Sequence, residues 1–281
     1  MCDIQHFILT RFNLLLWQRD KEGAPVRTQS WLEHRFTLFE SFSLPSLMRQ
    51  TNQGFIWIVL FDSTTPEKYR QRIAGYKDIC PQFEPVFVAP ERGRFFANVF
   101  RDEMVKRLEA SRIISTYLDN DDALNVRFVE DLRRRVVSLA DGTFIRYSDG
   151  YQYYTKGQFV TRICYPKNHF VSVLERGNPT TLKGIYGYGG HFHIDENKTA
   201  RIENIEGLPM WCEVVHEKNM INDANFFIGT RTVKDKDVLR RDFALEVPVD
   251  NTATVYVMKF LPRYAKTFVR RARNRLFGRK W

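Results

Sequence analysis

Residues 113–124 read IISTYLDNDDAL, an apolar segment that runs directly into an acidic turn. The first six residues are typical of a buried β-strand. The next four, residues 119–122, include three carboxylates, whose mutual repulsion a hard divalent cation such as Mg²⁺ or Mn²⁺ would relieve. The alternative is an exposed acidic turn in which Asp122 or Asn125 caps the next helix. Because open α/β sheets bind ligands at the carboxyl ends of their strands, we favour a ligand site.

A second apolar segment, FIWIVLF at residues 55–61, ends in a similar way. Both of its faces are apolar, which is typical of a parallel strand covered by helices on both sides. Asp62 follows it, and the turn through Pro66 caps a helix that runs to about residue 76. Two such strands in one sheet open onto one crevice, so we expect Asp62 to face a nucleoside sugar or base there. A simple helix cap is the alternative.

The first half of the chain alternates strands and helices. This rhythm predicts an α/β fold with a Rossmann-like, mostly parallel sheet, helices on both faces and right-handed crossovers. Pro45 is expected to kink or end the helix in which it lies. The predicted strands are residues 5–12, 55–61, 83–88 and 113–118, and the other predicted helices are residues 29–48, 95–110 and 126–139.

The second half of the chain does not continue the regular alternation of strands and helices. Asp149-Gly150 stands between the aromatic-rich residues 144–147 and 151–154, which indicates a β-hairpin. The glycine- and tyrosine-rich residues 184–190 are expected to form a flexible loop that closes over a bound ligand, a plain turn being the alternative. Further predicted strands are residues 159–164 and 209–216.

Three arginines stand where a nucleotide would need them. Arg11 closes the first predicted strand and is expected to face a base or a phosphate. Arg94 and Arg101 lie around the helix that precedes the acidic strand, within reach of a diphosphate. The alternative for each arginine is an ordinary position on the surface.

The order of these motifs resembles a known group of enzymes. Arg11-Phe12, then FDSTTP at residues 61–66, then YLDNDDAL at residues 117–124 resemble the nucleotide-sugar half of the GT-A glycosyltransferases, with LDNDDA as their DxD motif. Residues 31–66, YLDNDDAL and the later PMWCEVVHEKNM at residues 209–220 more closely resemble the bacterial putative rhamnosyltransferase family, over about residues 5–220.

The resemblance implies a GT-A-like fold and a metal-dependent glycosyltransferase of polysaccharide biosynthesis. A sugar, rhamnose by the name of the family, would move from a nucleotide-diphosphate donor to a glycan or lipid-linked acceptor, with Mn²⁺ or Mg²⁺ as cofactor. Residues 1–140 would be the nucleotide-sugar-binding half, residues 141–258 the acceptor-side half of the same domain, and residues 259–281 a basic tail.

Matching positions carry roles over from the resemblance. Asp121 would bind the metal, Asp119 the metal or the donor ribose, and Asn120 the donor. Asp62 would contact the donor nucleotide. His216 closes the strand MWCEVV, where many GT-A enzymes add a histidine to the metal ligands.

An inverting transferase also needs a general base near the acceptor hydroxyl. His191 and His193 follow the glycine-rich loop, and on a strand they would point to the same face, with Asp195 close behind. We expect the base in this cluster, and Glu213 is the next candidate. The alternative is that the two histidines are ordinary loop or core residues.

The basic character of the chain is concentrated at its end. Residues 251–281 contain nine lysines and arginines and no acidic residue, and removing nine charges from the total of +10 leaves the rest near +1. Apolar side chains recur every four residues from position 264, which predicts a basic amphipathic helix on an anionic membrane surface. A helix packed on its own domain, and a nucleic-acid-binding tail, are the alternatives.

Other features narrow the class of protein. The longest apolar run, residues 55–61, is too short to span a membrane, and residues 6–17 lack a signal-peptide pattern. The four cysteines are far apart in the sequence, which argues against a structural zinc site and against a disulfide framework. Such cysteine usage is typical of a protein of the reducing cytosol. We therefore expect a cytoplasmic protein, peripheral on the inner face of a bacterial plasma membrane. A metal-dependent phosphohydrolase and a nucleic-acid-binding protein are the competing functions.

Overall fold

Two β-sheets and their flanking helices make up the described chain. The computed structural model describes residues 4–16, 28–189, 191–216 and 231–251, and Ala265, Val269 and Ala272. The strands are β1 (Ile4–Arg11), β2 (Ile56–Asp62), β3 (Phe83–Val88), β4 (Arg112–Tyr117), β5 (Ala123–Leu124), β6 (Thr143–Tyr147), β7 (Asp149–Tyr154), β8 (Phe159–Cys164), β9 (Val171–Arg176), β10 (Arg201–Ile205), β11 (Trp211–Val215) and β12 (Arg231–Thr232). The helices are α1 (Gln29–Leu38), α2 (Leu44–Met48), α3 (Glu67–Ile79), α4 (Phe96–Lys106), α5 (Phe128–Val136), α6 (His191–Glu196) and α7 (Val238–Phe243).

The larger sheet has seven strands in the order β10-β6-β9-β4-β1-β2-β3. β3, β2, β1 and β4 run parallel, β9 is antiparallel to both of its neighbours, and β10 is parallel to β6. All of its strands except β9 therefore point the same way, which confirms the predicted mostly parallel α/β sheet. The carboxyl ends of β1, β2 and β4 meet at one edge, where such sheets bind their ligands.

The segment FIWIVLF is buried on both faces because alternate side chains of a strand point in opposite directions. Trp57, Val59 and Phe61 pack with residues of α1, α3 and α5 on one face of the sheet. Ile58 and Leu60 pack with residues of α4 on the other face. The prediction of helices on both faces is thus confirmed.

Pro45 lies within a helical stretch that continues to the end of α2 instead of stopping at the proline. A π-helical turn, Phe39–Ser43, joins α1 to α2, and the N–H of Leu44 donates to the carbonyl of Phe39. Pro45 therefore lies in the first turn of α2, where its missing N–H costs no hydrogen bond within that helix. The helical stretch therefore does not end at Pro45, and the predicted kink there stays a prediction.

The predicted hairpin at Asp149-Gly150 is wrong. β6 belongs to the larger sheet and β7 to the second sheet, with only Ser148 between them. Gly150 lies within β7, where an added Cβ would come 2.1 Å from the ring of Trp211. The glycine therefore allows close packing of a strand against an aromatic ring rather than a turn.

The second sheet has five strands in the order β12-β8-β7-β11-β5, and its strand β5 directly follows the acidic turn. β5 pairs antiparallel with β11, so that Leu124 lies opposite Trp211. Only residues 118–122 separate β4 of the larger sheet from β5 of the second sheet. The acidic turn is therefore one of the links between the two sheets, and both restrict its conformation.

The predicted tail, residues 259–281, lies outside the described residues except for three positions. Those three, Ala265, Val269 and Ala272, are helical and exposed. None of the described helices is long and apolar enough to cross a membrane. The two predicted halves, residues 1–140 and 141–258, both contribute strands to the larger sheet.

Candidate active site

The acidic turn, residues 119–122, is held by contacts from β1 and from the helical stretch that contains Pro45. Asn120 donates its side-chain N–H to the carbonyl of Phe12, just beyond β1, at 2.8 Å. The hydroxyl of Ser43 donates to the carbonyl of Asp122 at 2.8 Å. These contacts fix the backbone of the turn, so that its carboxylates project from a defined frame.

Asp121 has two partners on one carboxylate oxygen. Arg35 Nη1, from α1, lies 3.1 Å from Asp121 Oδ2, and His216 Nε2 lies 2.8 Å from the same atom. Burial by itself would raise the pKa of Asp121, but Arg35 and His216 hold that pKa well below its usual range. The contact brings together Asp121 and His216, two of the predicted metal ligands.

Asp122 is fully enclosed and pairs with a histidine that the motifs did not indicate. His169 Nε2 lies 2.9 Å from Asp122 Oδ2, and the backbone N–H of Val214 donates to Asp122 Oδ1 at 2.8 Å. Burial, with the charges of Asp121 and Asp119 added to it, raises the pKa of Asp122 above its usual range, and the hydrogen bond from His169 opposes that rise. Burial opposes protonation of His169, but Asp122 and the other carboxylates raise the pKa of His169 to about 9.

Asp119 belongs to a chain of polar contacts inside an aromatic pocket. The hydroxyl of Tyr117 lies 2.8 and 2.9 Å from the two carboxylate oxygens of Asp119 and accepts a hydrogen bond from Arg11 Nη2 at 3.0 Å. The Arg11 guanidinium lies 4.8 Å from the ring centre of Phe96 and 5.2 Å from that of Tyr186. Arg11 and Asp119 are therefore neighbours at the carboxyl ends of β1 and β4.

Asp119, Asp122 and His169 form the most compact group of potential metal ligands among the described residues. Each offers one ligating atom, and the three atoms lie within 4.8 Å of one another. Carboxylates are preferred ligands of Mg²⁺ and Mn²⁺, whereas an imidazole nitrogen suits a transition metal better than Mg²⁺. The donor set fits a divalent cation, and Mn²⁺ better than Mg²⁺. It shares Asp119 with the set predicted from the sequence.

The expected closing loop at residues 184–190 is a packed 3₁₀ turn, Ile185–Tyr188, in the part that is described. Tyr186 is 7% exposed and stacks on Phe100 with 4.8 Å between ring centres. An added Cβ at Gly184 would come 2.3 Å from the terminal methyl of Met104. This segment supports the pocket around Arg11, and its packing does not suit a flexible lid.

Asp62 ends β2 at the same edge of the sheet but is completely buried. Its Oδ1 accepts hydrogen bonds from the backbone N–H and the hydroxyl of Thr64. Asn13, just past β1, donates to the hydroxyl of Thr65 and accepts from the N–H of Asp62, both at 3.0 Å. The carboxylate therefore organises the turn after β2 and does not act as the helix cap weighed as the alternative, since the N-cap of α3 is Pro66 and receives no side-chain hydrogen bond.

Arg94 and Arg101 remain on the surface. Arg94 lies over the ring of Phe95 at 4.6 Å, and Arg101 Nη2 pairs with the neighbouring Asp102 at 2.7 Å. Their contacts correspond to the surface alternative rather than to a place beside the acidic turn.

The predicted cluster of His191, His193 and Asp195 has a different geometry from the one expected. These residues lie on α6 instead of a strand, and residues two apart on a helix point in different directions. The His191 side chain lies outside the described part, and His193 is exposed. Asp195 pairs with the buried guanidinium of Arg146 at 2.7 Å. The same-face prediction is corrected, and the contact of Asp195 is that of a structural ion pair.

Glu213 is the base candidate that a strand carries to the acidic turn. Glu213 precedes Val214 on β11, and the backbone N–H of Val214 donates to Asp122. The charge of Glu213 also contributes to the raised pKa of His169. The amide of Gln152 donates to Glu213 Oε2 at 2.6 Å. Glu213 is only half-buried, so it is both oriented and accessible.

A sequence model of the family described as Putative rhamnosyl transferase matches residues 5–226. The chain belongs to this family. The match includes β1, the acidic turn, Glu213 and His216, and it confirms the resemblance that the motifs indicated. No curated protein matches the chain.

Solved structures of other proteins align with this rhamnosyl transferase family member at low identity. Residues 1–349 of S. aureus TarS in complex with UDP align with a TM-score of 0.44 and 11% identity, over 75% of this chain and 60% of that one. A putative nucleotide-diphospho-sugar transferase from Desulfovibrio desulfuricans G20 aligns with a TM-score of 0.38 and 11% identity, over 78% of this chain and 84% of that one. The chain thus spans 60% of the TarS fragment.

Two residues of the site in this rhamnosyl transferase family member were missed from the sequence, His169 and Arg35. His169 precedes β9, whose antiparallel direction brings its start to the edge where β4 ends. The apolar run FVSVL after His169 marks a strand, but its direction follows from the fold and not from local pattern. Arg35 lies in the middle of α1. The apolar periodicity of that helix predicts which face is buried, but it does not predict which residues the polar side chains contact.

Proposed function

We propose that the protein is a metal-dependent glycosyltransferase that moves a sugar from a nucleotide-diphosphate donor to a glycan or lipid-linked acceptor. The observation that carries this proposal is the acidic turn at the carboxyl edge of the parallel sheet, where two Asp–His pairs adjoin Asp119. Membership of the rhamnosyl transferase family supports glycosyl transfer, and the name of the family makes rhamnose the first sugar to test.

The proposed cation is Mn²⁺, or Mg²⁺ with lower affinity, held at the acidic turn. Asp119 belongs to both candidate ligand sets, the compact one with Asp122 and His169 and the sequence-predicted one with Asp121 and His216. A divalent cation bound here would neutralise negative charge on the diphosphate. The carboxylates would hold it in place, while Ser43 and the backbone contacts of the turn keep them oriented.

Arg11 and Asn120 are the proposed contacts to the donor nucleotide. Arg11 is fixed by the ring contacts of Phe96 and Tyr186, which pre-organise a cation beside Asp119. Asn120 has its amide N–H engaged by Phe12, which holds the residue at the carboxyl end of β1. Asp62 is proposed to act indirectly, by shaping the turn after β2.

Glu213 is the proposed general base that accepts the proton of the acceptor hydroxyl. Its carboxylate is oriented by Gln152, and strand β11 brings it beside the His169–Asp122 pair. Asp195 is engaged with Arg146, so the sequence-predicted cluster of His191, His193 and Asp195 has weaker support. The acceptor would approach from the side of the second sheet.

The C-terminal tail is proposed to hold the enzyme at an anionic membrane surface, where lipid-linked acceptors are found. Its nine basic residues and the apolar four-residue repeat support this role. Co-sedimentation with anionic vesicles, for the full chain and for a truncation after residue 258, tests it. Loss of pelleting on truncation is expected, and equal pelleting of both proteins would reject the role.

Thermal melting with a panel of ligands separates the proposed function from the nucleic-acid-binding alternative. UDP, GDP and dTDP, each with Mn²⁺, are compared with single-stranded and duplex nucleic acid. We expect one nucleoside diphosphate to raise the melting temperature in a Mn²⁺-dependent way. Stabilisation by nucleic acid alone would favour the nucleic-acid-binding alternative, and stabilisation by none of these ligands would contradict donor binding.

A further inference from the structure

Arg35 makes a direct cationic contact with the acidic turn. Its guanidinium binds two side chains of the turn at once, Asp121 Oδ2 through Nη1 at 3.1 Å and the side-chain oxygen of Asn120 through Nη2. The side chains of Arg35 and Asp121 are only 14% and 12% exposed. Such an enclosed, two-pronged contact is weakly screened by solvent.

The helix that carries Arg35 is itself anchored. Arg72, on α3, binds Glu33 and Glu40 from the helical stretch that contains Arg35, with Nη1 lying 3.1 Å from Glu33 Oε2. The guanidinium of Arg35 also lies 5.8 Å from the ring centre of Trp31, one turn earlier. Arg35 is therefore presented to the acidic turn by a fixed element.

A divalent cation at the acidic turn and the guanidinium of Arg35 would draw on the same negative charge. His216 Nε2 already shares Asp121 Oδ2 with Arg35, so this oxygen has two donors before any metal binds. The positive charge of Arg35 repels a second cation and offsets one of the three carboxylates of the turn.

We propose that Arg35 is a built-in counter-cation of the acidic turn, which positions Asn120 and Asp121 and lowers the affinity of the turn for a free divalent cation. This inference rests on the proposed metal-dependent function. In consequence, the negative charge of a donor diphosphate would restore the attraction that Arg35 cancels. The cation would then bind with the donor more readily than alone.

Mn²⁺ binding to the full chain without nucleotide tests this inference, measured by calorimetry and by the electron paramagnetic resonance signal of free Mn²⁺. Arg35→Gln and Arg35→Met remove the charge, and Arg35→Lys keeps it. We expect the two neutral variants to bind Mn²⁺ roughly tenfold more tightly than the wild type, and the lysine variant to bind as the wild type does. Arg176→Gln, which removes an exposed arginine–carboxylate contact with Asp141 far from the turn, should leave the affinity unchanged.

The outcomes distinguish the inference from the proposed function. Neutral variants that bind Mn²⁺ as the wild type does, or more weakly, would overturn the role of Arg35 while leaving the metal site intact. A lysine variant that binds as tightly as the neutral ones would also overturn it. If no variant binds Mn²⁺, both the inference and metal dependence fail, and sugar transfer in metal-free buffer then decides whether the glycosyltransferase proposal survives.

Discussion

The three carboxylates of the acidic turn are not equivalent, because each has different partners. Arg35 and His216 contact Asp121, and His169 contacts Asp122. Among the described residues, the carboxylate of Asp119 accepts a hydrogen bond only from the hydroxyl of Tyr117, with Arg11 at 3.6 Å. Asp119 is therefore the carboxylate with the most charge left to offer a cation. Differences of this kind make single substitutions at the turn informative.

Both histidines that contact the acidic turn are expected to matter for metal binding. His169→Gln and His216→Gln each remove a ligand, or a group that orients one, and should weaken Mn²⁺ binding by about 10- to 100-fold. The measurement is a Mn²⁺ titration with a nucleoside diphosphate present. His193→Gln, on the exposed face of α6, is the control and should bind as the wild type does. Unchanged affinity in both site variants would exclude the histidines from the metal site.

Glu213→Gln is expected to lower kcat by roughly 10²–10⁴-fold with little change in donor binding, because an amide cannot accept the acceptor proton. Asp195→Asn should instead leave kcat nearly unchanged and lower stability by roughly 3 kcal/mol, since Arg146 would keep its charge in a buried site. Steady-state kinetics and urea unfolding read the two effects. A large loss of kcat in Asp195→Asn, with kcat of Glu213→Gln unchanged, would instead indicate that the general base lies on α6.

At the scale of elements, the direct passage of the chain from β6 to β7 joins the two sheets. Ser148 alone separates the strands, and Gly150 allows the ring of Trp211 to lie against the backbone of β7. Since β11 carries both Trp211 and Glu213, this close contact also determines where the proposed base lies. The close packing at Gly150 therefore influences the position of Glu213 in the candidate site.

Gly150→Ala is expected to destabilise the protein by at least 1–3 kcal/mol, because the new methyl group would overlap the ring of Trp211. Gly75→Ala is the matched control. Gly75 lies inside α3 with nothing within 4 Å of an added Cβ, so alanine should stabilise by about 0.5–1 kcal/mol. Urea unfolding of both variants measures the difference, and equal stability of the two would contradict the packing argument.

Local patterns predicted the elements well and their partners poorly. The buried strand FIWIVLF and the acidic turn DNDD can be recognised from the sequence because their hydrophobicity and charge are properties of consecutive residues. The Asp149-Gly150 hairpin was wrong because burial of both strands overrode the usual turn preference of the dipeptide. His169 and Arg35 join the site only through the direction of β9 and the packing of α1, which no short stretch of sequence encodes.

At the scale of the whole molecule, a buried histidine in the central strand makes stability depend on pH. His6 in β1 is fully buried, and its Nε2 lies 2.8 Å from the hydroxyl of Thr116 in β4. Burial, and to a smaller extent the charge of Arg133, lowers the pKa of His6 to about 3. The unfolded chain binds this proton below about pH 6.5. The stability that neutral His6 provides is therefore complete above pH 6.5 and is lost as the pH falls towards 3.

His6→Gln removes this proton-linked term. Between pH 7.5 and 4.5 the wild type should lose about 2–3 kcal/mol more unfolding free energy than the variant, because the unfolded state gains a proton over roughly two pH units of that interval. Urea unfolding at the two pH values gives the comparison, whatever the stability of the variant at neutral pH. Parallel losses in both proteins would show that His6 titrates normally in the folded chain.

In the proposed function, the acidic turn supports metal-dependent sugar transfer from a nucleotide-diphosphate donor. The most direct measurement is release of the nucleoside diphosphate from a panel of nucleotide sugars, dTDP-rhamnose included, with Mn²⁺ and with EDTA, for the wild type and Asp119→Asn. We expect Mn²⁺-dependent release by the wild type from one donor class, and its loss in the folded variant. Release that persists in EDTA, or undiminished release by Asp119→Asn, would contradict the account.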